Sequence, residues 1–174
     1  MNIYGEKTVL RAIEPADKSL LLELINDPKT EKMLGGGSFP VSEAGQAKWI
    51  ADQTGRTDVL RCIVADQSNP EQGIGTVILS DIDYKNGVAQ VHVKLAATCH
   101  RNGYGSDALK ALVNYAFKEM RLNCVYAHVL SYNEPSQKLF CKCGFQKEGI
   151  LRSRTYKDGK YVDTISYSIL NNEA

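Results

Sequence analysis

The sequence predicts a mixed α/β fold built on a largely antiparallel central sheet with flanking helices, and three features carry that prediction. Asn86-Gly87 separates two strand-like apolar runs, Ile74 to Ile82 and Val88 to Leu95, which is a tight-hairpin signal and sets those strands antiparallel. Asp158-Gly159 does the same between Arg152 to Lys157 and Tyr161 to Ile169. Between them, Leu109, Leu112, Val113, Ala116, Phe117 and Met120 recur at helical spacing over Gly103 to Met120, so a long helix buries one face.

The remaining elements follow in chain order. Thr8 to Ile13 reads as a strand, and Asp17 to Ile25 as a short helix with Leu20, Leu21, Leu24 and Ile25 on one face. Asn26-Asp27-Pro28 ends it, and Gly35-Gly36-Gly37 is a flexible loop. Ser42 can cap a helix running to about Gln53, with Ala47, Ile50 and Ala51 inward and Trp49 off that stripe. Leu60 to Ala65 and Cys124 to Leu130 are strands. After the second of these, Asn133 looks like an N-cap, Pro135 sits in the first turn and Gly144 closes the helix at C′, burying Leu139, Phe140 and Cys143.

Length and charge narrow the function. A chain of 174 residues, 43% of them apolar, fits one domain with a real core, residues 1–174, and shows no repeat or linker. A formal net charge of +1 supplies no long-range field for nucleic acid or an anionic membrane surface. Glu6, Lys7, Arg11, Glu14, Asp17 and Lys18 interrupt any leader or membrane span near the start, so a cytoplasmic protein is expected. Five cysteines without a C-x-x-C pair predict reduced thiols and no metal site. Cys99 beside His100 is a poor nucleophile and base, because adjacent side chains rarely aim at one another.

The segment His100-Arg101-Asn102-Gly103-Tyr104-Gly105-Ser106 lies between a strand and the best helix. Its glycines free the backbone while the helix's unpaired N–H groups point outward, which is how a turn binds phosphate. Gly103 to Ala108 also fits the dinucleotide pattern G-x-G-x-x-A, which would imply an oxidoreductase. Against that stand the hairpin origin of the preceding strand, the seven residues between Leu95 and Gly103, and the lack of a ribose-binding acid after Leu130-Ser131. No Gly-Lys-Ser/Thr follows, which excludes a Walker loop.

About thirty residues on, Asn133-x-x-Ser136-x-x-Leu139-Phe140-x-Lys142-x-Gly144-Phe145 forms a second constellation. With the anion loop, in this order and on these elements, the chain resembles the GNAT superfamily of N-acetyltransferases over nearly its whole length. It looks closest to the branch of ribosomal-protein alanine N-acetyltransferases, through Gly5-Glu6-Lys7 with Leu10-Arg11, Asn26-Asp27-Pro28, Trp49-Ile50, Glu148 to Arg152, Asp158-Gly159 and Asp163. The resemblance implies acetyl-CoA as co-substrate, no metal, and a strand before the anion loop that splays from the next, parallel strand. By the same carry-over Val93, Leu95 and Ala96 meet pantetheine, Arg101, Asn102, Gly103, Tyr104, Gly105 and Ser106 hold the pyrophosphate, and Asn133 meets the pantetheine amides, with Phe140 at the same site. His100 replaces the usual opening Gln or Arg, and Phe140 stands where many relatives carry an acidic tyrosine.

Acetyl transfer to an amine needs a neutral amine, stabilisation of the oxyanion and often a proton for the departing thiolate. The resemblance implies that a strand amide, of Val93 or Leu95, serves the oxyanion. Ser136, which in the resembling branch lies near the thiol, is the candidate acid or water-orienting group, against a first-turn serine that bonds only to the Asn133 region. His92 and His128 show no positioned partner, Asp81 and Asp83 end a strand near the expected cleft, and Lys138 with Lys142 could meet phosphates or stay solvated. An α-amine, about a tenth neutral at pH 7, needs less help than a lysine-like amine. The expected acceptor is therefore a peptide or protein N-terminus. The alternatives are a polyamine or aminoglycoside acetyltransferase and a non-catalytic acyl-CoA sensor.

Overall fold

The computed structural model describes residues 1–36 and 39–173. Its eight strands are β1 (Ile3–Tyr4), β2 (Thr8–Arg11), β3 (Leu60–Asp66), β4 (Asn69–Asp83), β5 (Val88–Leu95), β6 (Cys124–Leu130), β7 (Gln146–Lys157) and β8 (Lys160–Leu170). They form one sheet in the order β1-β2-β3-β4-β5-β6-β8-β7, antiparallel everywhere except between β5 and β6. The five helices are α1 (Lys18–Asn26), α2 (Pro28–Lys32), α3 (Glu43–Ala51), α4 (Tyr104–Lys118) and α5 (Glu134–Lys142).

Alternation along the strands sorts side chains to two faces. Cys62, Val64, Val77, Leu79, Ala89, Val91, Val125, Ala127 and Val129 pack under Leu109, Leu112 and Ala116 of α4 and Phe140 of α5. Ile63, pointing the other way, meets Leu21 of α1 and Ile50 of α3. The opposite face therefore carries Arg61, Thr76, Ile78, Ser80, His92, Lys94, Tyr126 and His128, and α1 and α3 cover only part of it.

Both hairpins, the long helix and the Asn133 to Gly144 helix form as expected, with Gly87, Asp158, Gly159 and Gly144 all at positive φ. Two expectations need correction. Asn26-Asp27-Pro28 stops α1 but also starts α2, because the Asp27 carboxylate accepts from Lys29 and Thr30 N–H groups and Pro28 tolerates the first helical position. On α3 the inward residues are Gln46 and Ile50, while Ala47 and Ala51 are exposed. The face of α3 is set by contact with α1, and a carboxamide rather than a methyl turns inward. Of the predicted glycine loop, Gly37 lies outside the described residues.

Three side chains fasten the α2 segment to the far side of the sheet. Lys157 donates to Glu31, both carboxylate and carbonyl, and to the Gly36 carbonyl. The Tyr132 hydroxyl reaches the Lys32 carbonyl and the Asn133 amide reaches that of Met33. Without these contacts a five-residue helix would have little reason to stay formed.

Candidate active site

The parallel ladder between β5 and β6 covers only Val88 to Gln90 against Cys124 to Tyr126, although both strands continue. Beyond Gln90 they diverge, which is the expected splay. The Ala96 N–H donates to the Ile74 carbonyl at 2.9 Å, so, counting back in twos, Lys94 and His92 also turn their backbone groups to β4. The amides of Val93 and Leu95 then face the gap. Gly75 makes the β4 side of this region tight, since a Cβ there would fall 2.2 Å from the Lys94 carbonyl oxygen.

At the end of β5, the His100 ring Nε2 lies 3.0 Å from the Leu95 carbonyl, which can only accept, so Nε2 carries the proton. The loop passes through Arg101 at φ 64° and Gly103 at φ 83° into α4. The first backbone N–H of this turn to find a helical partner is that of Asp107, on the Gly103 carbonyl at 3.1 Å, leaving the preceding amides outward. A Cβ at Gly103 would meet nothing within 4 Å except the Lys7 ammonium at 3.6 Å. The cradle is therefore open and faces a cation. Gly105 differs: it is buried, and a Cβ there would press on Leu95 at 3.3 Å.

The loop is anchored from below through Asp107 and Asp66, two acids that the sequence did not single out. Asp107 accepts from the Glu6, Lys7 and Thr8 amides and from the Thr8 hydroxyl, bringing the β1-β2 turn and Lys7 to the loop. Burial opposes ionisation of Asp107, but these hydrogen bonds together hold its carboxyl below the ordinary value. The Tyr104 hydroxyl donates to Asp66, and this bond, with those from Ser68, lowers the Asp66 carboxyl to about 2. Ser106 Oγ donates to the Gly103 carbonyl at 3.0 Å. An acid directly after Gly-x-Gly-x was the available signal, though its partners lie about a hundred residues away.

At the other side of the gap, Asn133 Oδ1 caps α5 by accepting from the Ser136 N–H at 3.2 Å, and Nδ2 donates to the Met33 carbonyl at 3.0 Å. The Ser136 hydroxyl has no hydrogen-bond partner among the described residues. Phe140 is buried in the core, edge-on to Phe145 at 5.0 Å and stacked with Tyr167 at 6.4 Å. Lys138 pairs with Glu134 on the exposed surface of α5, so of the two helix lysines one is already engaged.

On the opposite face of the sheet, register places Arg61, Ile78 and His92 in one row across β3, β4 and β5, and Ile63, Thr76 and Lys94 in the next. A cavity of about 340 Å³ opens over these rows beneath α1 and α3. Its walls are apolar, from Leu21, Leu24, Val41, Trp49 and Ile78, with Gln46, Arg61 and Lys94 as the larger polar groups. Beside it, Ser80 Oγ donates to Asp81 at 3.0 Å and lies 2.9 Å from His92 Nε2. A hydroxyl has one proton, so once it goes to Asp81 the Ser80 oxygen accepts from Nε2–H and the neutral ring keeps Nδ1 free. Desolvation pulls the His92 imidazole below its ordinary value, although Asp81 acts the other way. Asp83 instead closes the β4-β5 turn on Asn86.

Residues 7–146 match the model of the acetyltransferase (GNAT) domain. This chain belongs to the GNAT acetyltransferase family. It is 30% identical to an uncharacterised N-acetyltransferase, p20, of Bacillus licheniformis over 98% of this chain and 97% of the other. To a putative ribosomal N-acetyltransferase, YdaF, of Bacillus subtilis it is 29% identical over 97% and 94%. The fold also superposes on the spermidine N-acetyltransferase of Vibrio cholerae solved with CoA and spermine, with a TM-score of 0.87, 23% identity, and 95% and 96% of the chains covered. As a GNAT enzyme, the chain is an acyl-CoA-dependent N-acetyltransferase acting on an amine. Among the described residues no helix is long and apolar enough to cross a membrane, and no group of three or more metal-ligating side chains occurs.

Proposed function

We propose that this GNAT enzyme transfers the acetyl group of acetyl-CoA to the α-amino group of a peptide or protein N-terminus. The observation that carries the acceptor is the cavity wall, which holds Arg61 and Lys94 and, among the described residues, no carboxylate. A polycation would meet two like charges there and nothing to pair with. An α-amine, with a pKa of about 7.7 to 8.0, arrives partly neutral at pH 7.

Acetyl-CoA supplies the activated acetyl group. Outward amides from Gly103 to Ser106, with Arg101 and Asn102, fit its pyrophosphate, and the Lys7 ammonium stands over the same cradle. Val93, Leu95 and Ala96 line the strand along which pantetheine would run, with Val93 or Leu95 N–H donating to the carbonyl oxygen as charge develops. Asn133 would offer pantetheine only what its cap and its bond to Met33 leave, and Phe140 would act through the core rather than by contact. His92 Nδ1 would take one proton of the acceptor ammonium, and the Ser136 hydroxyl would give its proton to the departing thiolate and recover the one the nitrogen releases as the amide forms.

The test is kcat/KM for short peptides with free N-termini against spermidine and aminoglycosides at equal pH. Peptide turnover well above both is expected. Turnover of spermidine or an aminoglycoside with none for any peptide would overturn the assignment.

A further inference from the structure

Gln46 and Lys94 are polar groups of the cavity that no contact described above engages. Gln46 is 5% exposed and its carboxamide makes no hydrogen bond among the described residues, yet neither of its polar atoms is sealed off, so both remain accessible through the cavity. The amide is therefore available to a ligand and carries both a donor and an acceptor. A peptide unit, with one N–H and one C=O, would match it. A free amine or polyamine has no carbonyl to offer.

The two cations form the second half of the pattern. The Arg61 guanidinium stacks on Trp49 at 5.6 Å from the ring centroid and donates to the neutral Gln53 carbonyl oxygen at 2.8 Å. Asp58, the carboxylate that acts on it, is already paired with Arg56. Lys94 has no ion pair among the described residues. Desolvation lowers both cations, Lys94 with no compensating partner, so each gains from an arriving anion. The floor between them is Thr76 and Ile78, and the remaining walls are apolar, in a cavity within the range of roughly 300–1,000 Å³ that small ligands occupy.

We propose that this cavity reads the first two residues of the acceptor peptide, taking a large apolar side chain at the first and a carboxylate at the second, between Arg61 and Lys94. The inference rests on the α-amine reading above and sharpens it. Gln46 would hold the peptide unit that joins the two residues, which sets peptides apart from free amino acids. The same wall explains why a basic second residue would be rejected: it would add a third positive charge beside two that are unpaired.

The experiment uses the full chain with saturating acetyl-CoA and C-terminally amidated tripeptides, so that the only carboxylate is the one under test. Leu-Glu-Ala should exceed Leu-Lys-Ala in kcat/KM by at least about tenfold, as expected for a charged group hydrogen-bonded away from bulk water. Leu-Glu-Ala should also exceed Gly-Glu-Ala by at least about tenfold, as expected for filling an apolar pocket. In Lys94→Gln and in Arg61→Gln, each first checked for unchanged acetyl-CoA affinity, the Glu-over-Lys ratio should fall toward one while the Leu-over-Gly ratio persists. Equal rates for the Glu and Lys peptides, or a ratio unmoved in both variants, would overturn the carboxylate part. Free leucine turned over with no peptide would overturn the peptide-unit role of Gln46 and the peptide acceptor together. Spermidine as sole acceptor would remove the α-amine reading itself.

Discussion

The proposed cofactor half and the proposed acceptor half of this molecule follow opposite chemical plans. Around the gap between β5 and β6 the groups proposed to bind are backbone amides, presented by two glycines, a strand end and the first turn of α4. Across the sheet, under α1 and α3, the proposed groups are side chains: Gln46 from α3, Arg61 from β3 and Lys94 from β5. Backbone recognition needs only a local conformation, so it tolerates almost any residue at the non-glycine positions. Side-chain recognition needs several elements in register, and changing one residue changes the ligand. The plan shared across a family can therefore coexist with a private choice of acceptor.

The sharpest way to break this contrast is Gly103→Val. The substitution forces a β-branched side chain into positive φ and fills the open cradle, so acetyl-CoA binding should be lost. Calorimetric titration of a folded variant decides it, and unchanged affinity would refute the backbone plan. Gly105→Val should lose binding too, but with reduced stability, because its Cβ presses on Leu95.

Ser136→Ala should lower kcat by about ten- to ten-thousandfold, with acetyl-CoA affinity little changed, since it removes one proton donor and no cradle amide. Parental turnover would make Ser136 a helix residue only. The acidic limb of the pH profile sharpens the role of His92. Its folded pKa lies below the ordinary value of about 6.5, so the neutral base persists above that lowered pKa and is lost as pH falls through it. In kcat/KM the limb should sit below pH 6.5 and change in His92→Gln. A limb in that variant identical to the parent's would assign the titration elsewhere.

The smallest expected effect is structural. Asn133→Ala removes the α5 cap and the tie to Met33, which should cost about 1 kcal/mol in denaturant unfolding. A loss of acetyl-CoA affinity much larger than that would instead support direct contact with pantetheine.

What could be read from the sequence follows the same division. The anion loop, α4, both hairpins and the Asn133 cap each announce themselves through glycine, asparagine and apolar spacing within a few residues. Register across the hairpin was also accessible, since Val88 to Leu95 alternates, but not the fact that His92 would find Ser80 twelve positions earlier on β4. The two are diagonal neighbours in the regular ladder; the bulge that follows, where Asp81 takes φ 49°, has no plain sequence signal. Gln46 is not part of the expected inward stripe of Ala47, Ile50 and Ala51, and its burial depends on how α3 rests on α1. Lys7 reaches the loop only because Asp107 gathers the β1-β2 turn, a bond spanning about a hundred residues. The short α2 was signalled by Asp27-Pro28, which fits a helix start as well as a stop.

The most direct test of the two-plan account is to follow amide and side-chain resonances of ¹⁵N-labelled protein, first with acetyl-CoA or CoA and then with an acceptor peptide. The account predicts that the cofactor moves the Gly103 to Ser106, Val93 and Leu95 amides and leaves the Trp49 indole and Gln46 carboxamide in place. The peptide, added to the CoA-bound protein, should then move Trp49 and Gln46 with little further change in the loop. Displacement of Trp49 and Gln46 by the cofactor alone, with the loop amides unmoved, would contradict it.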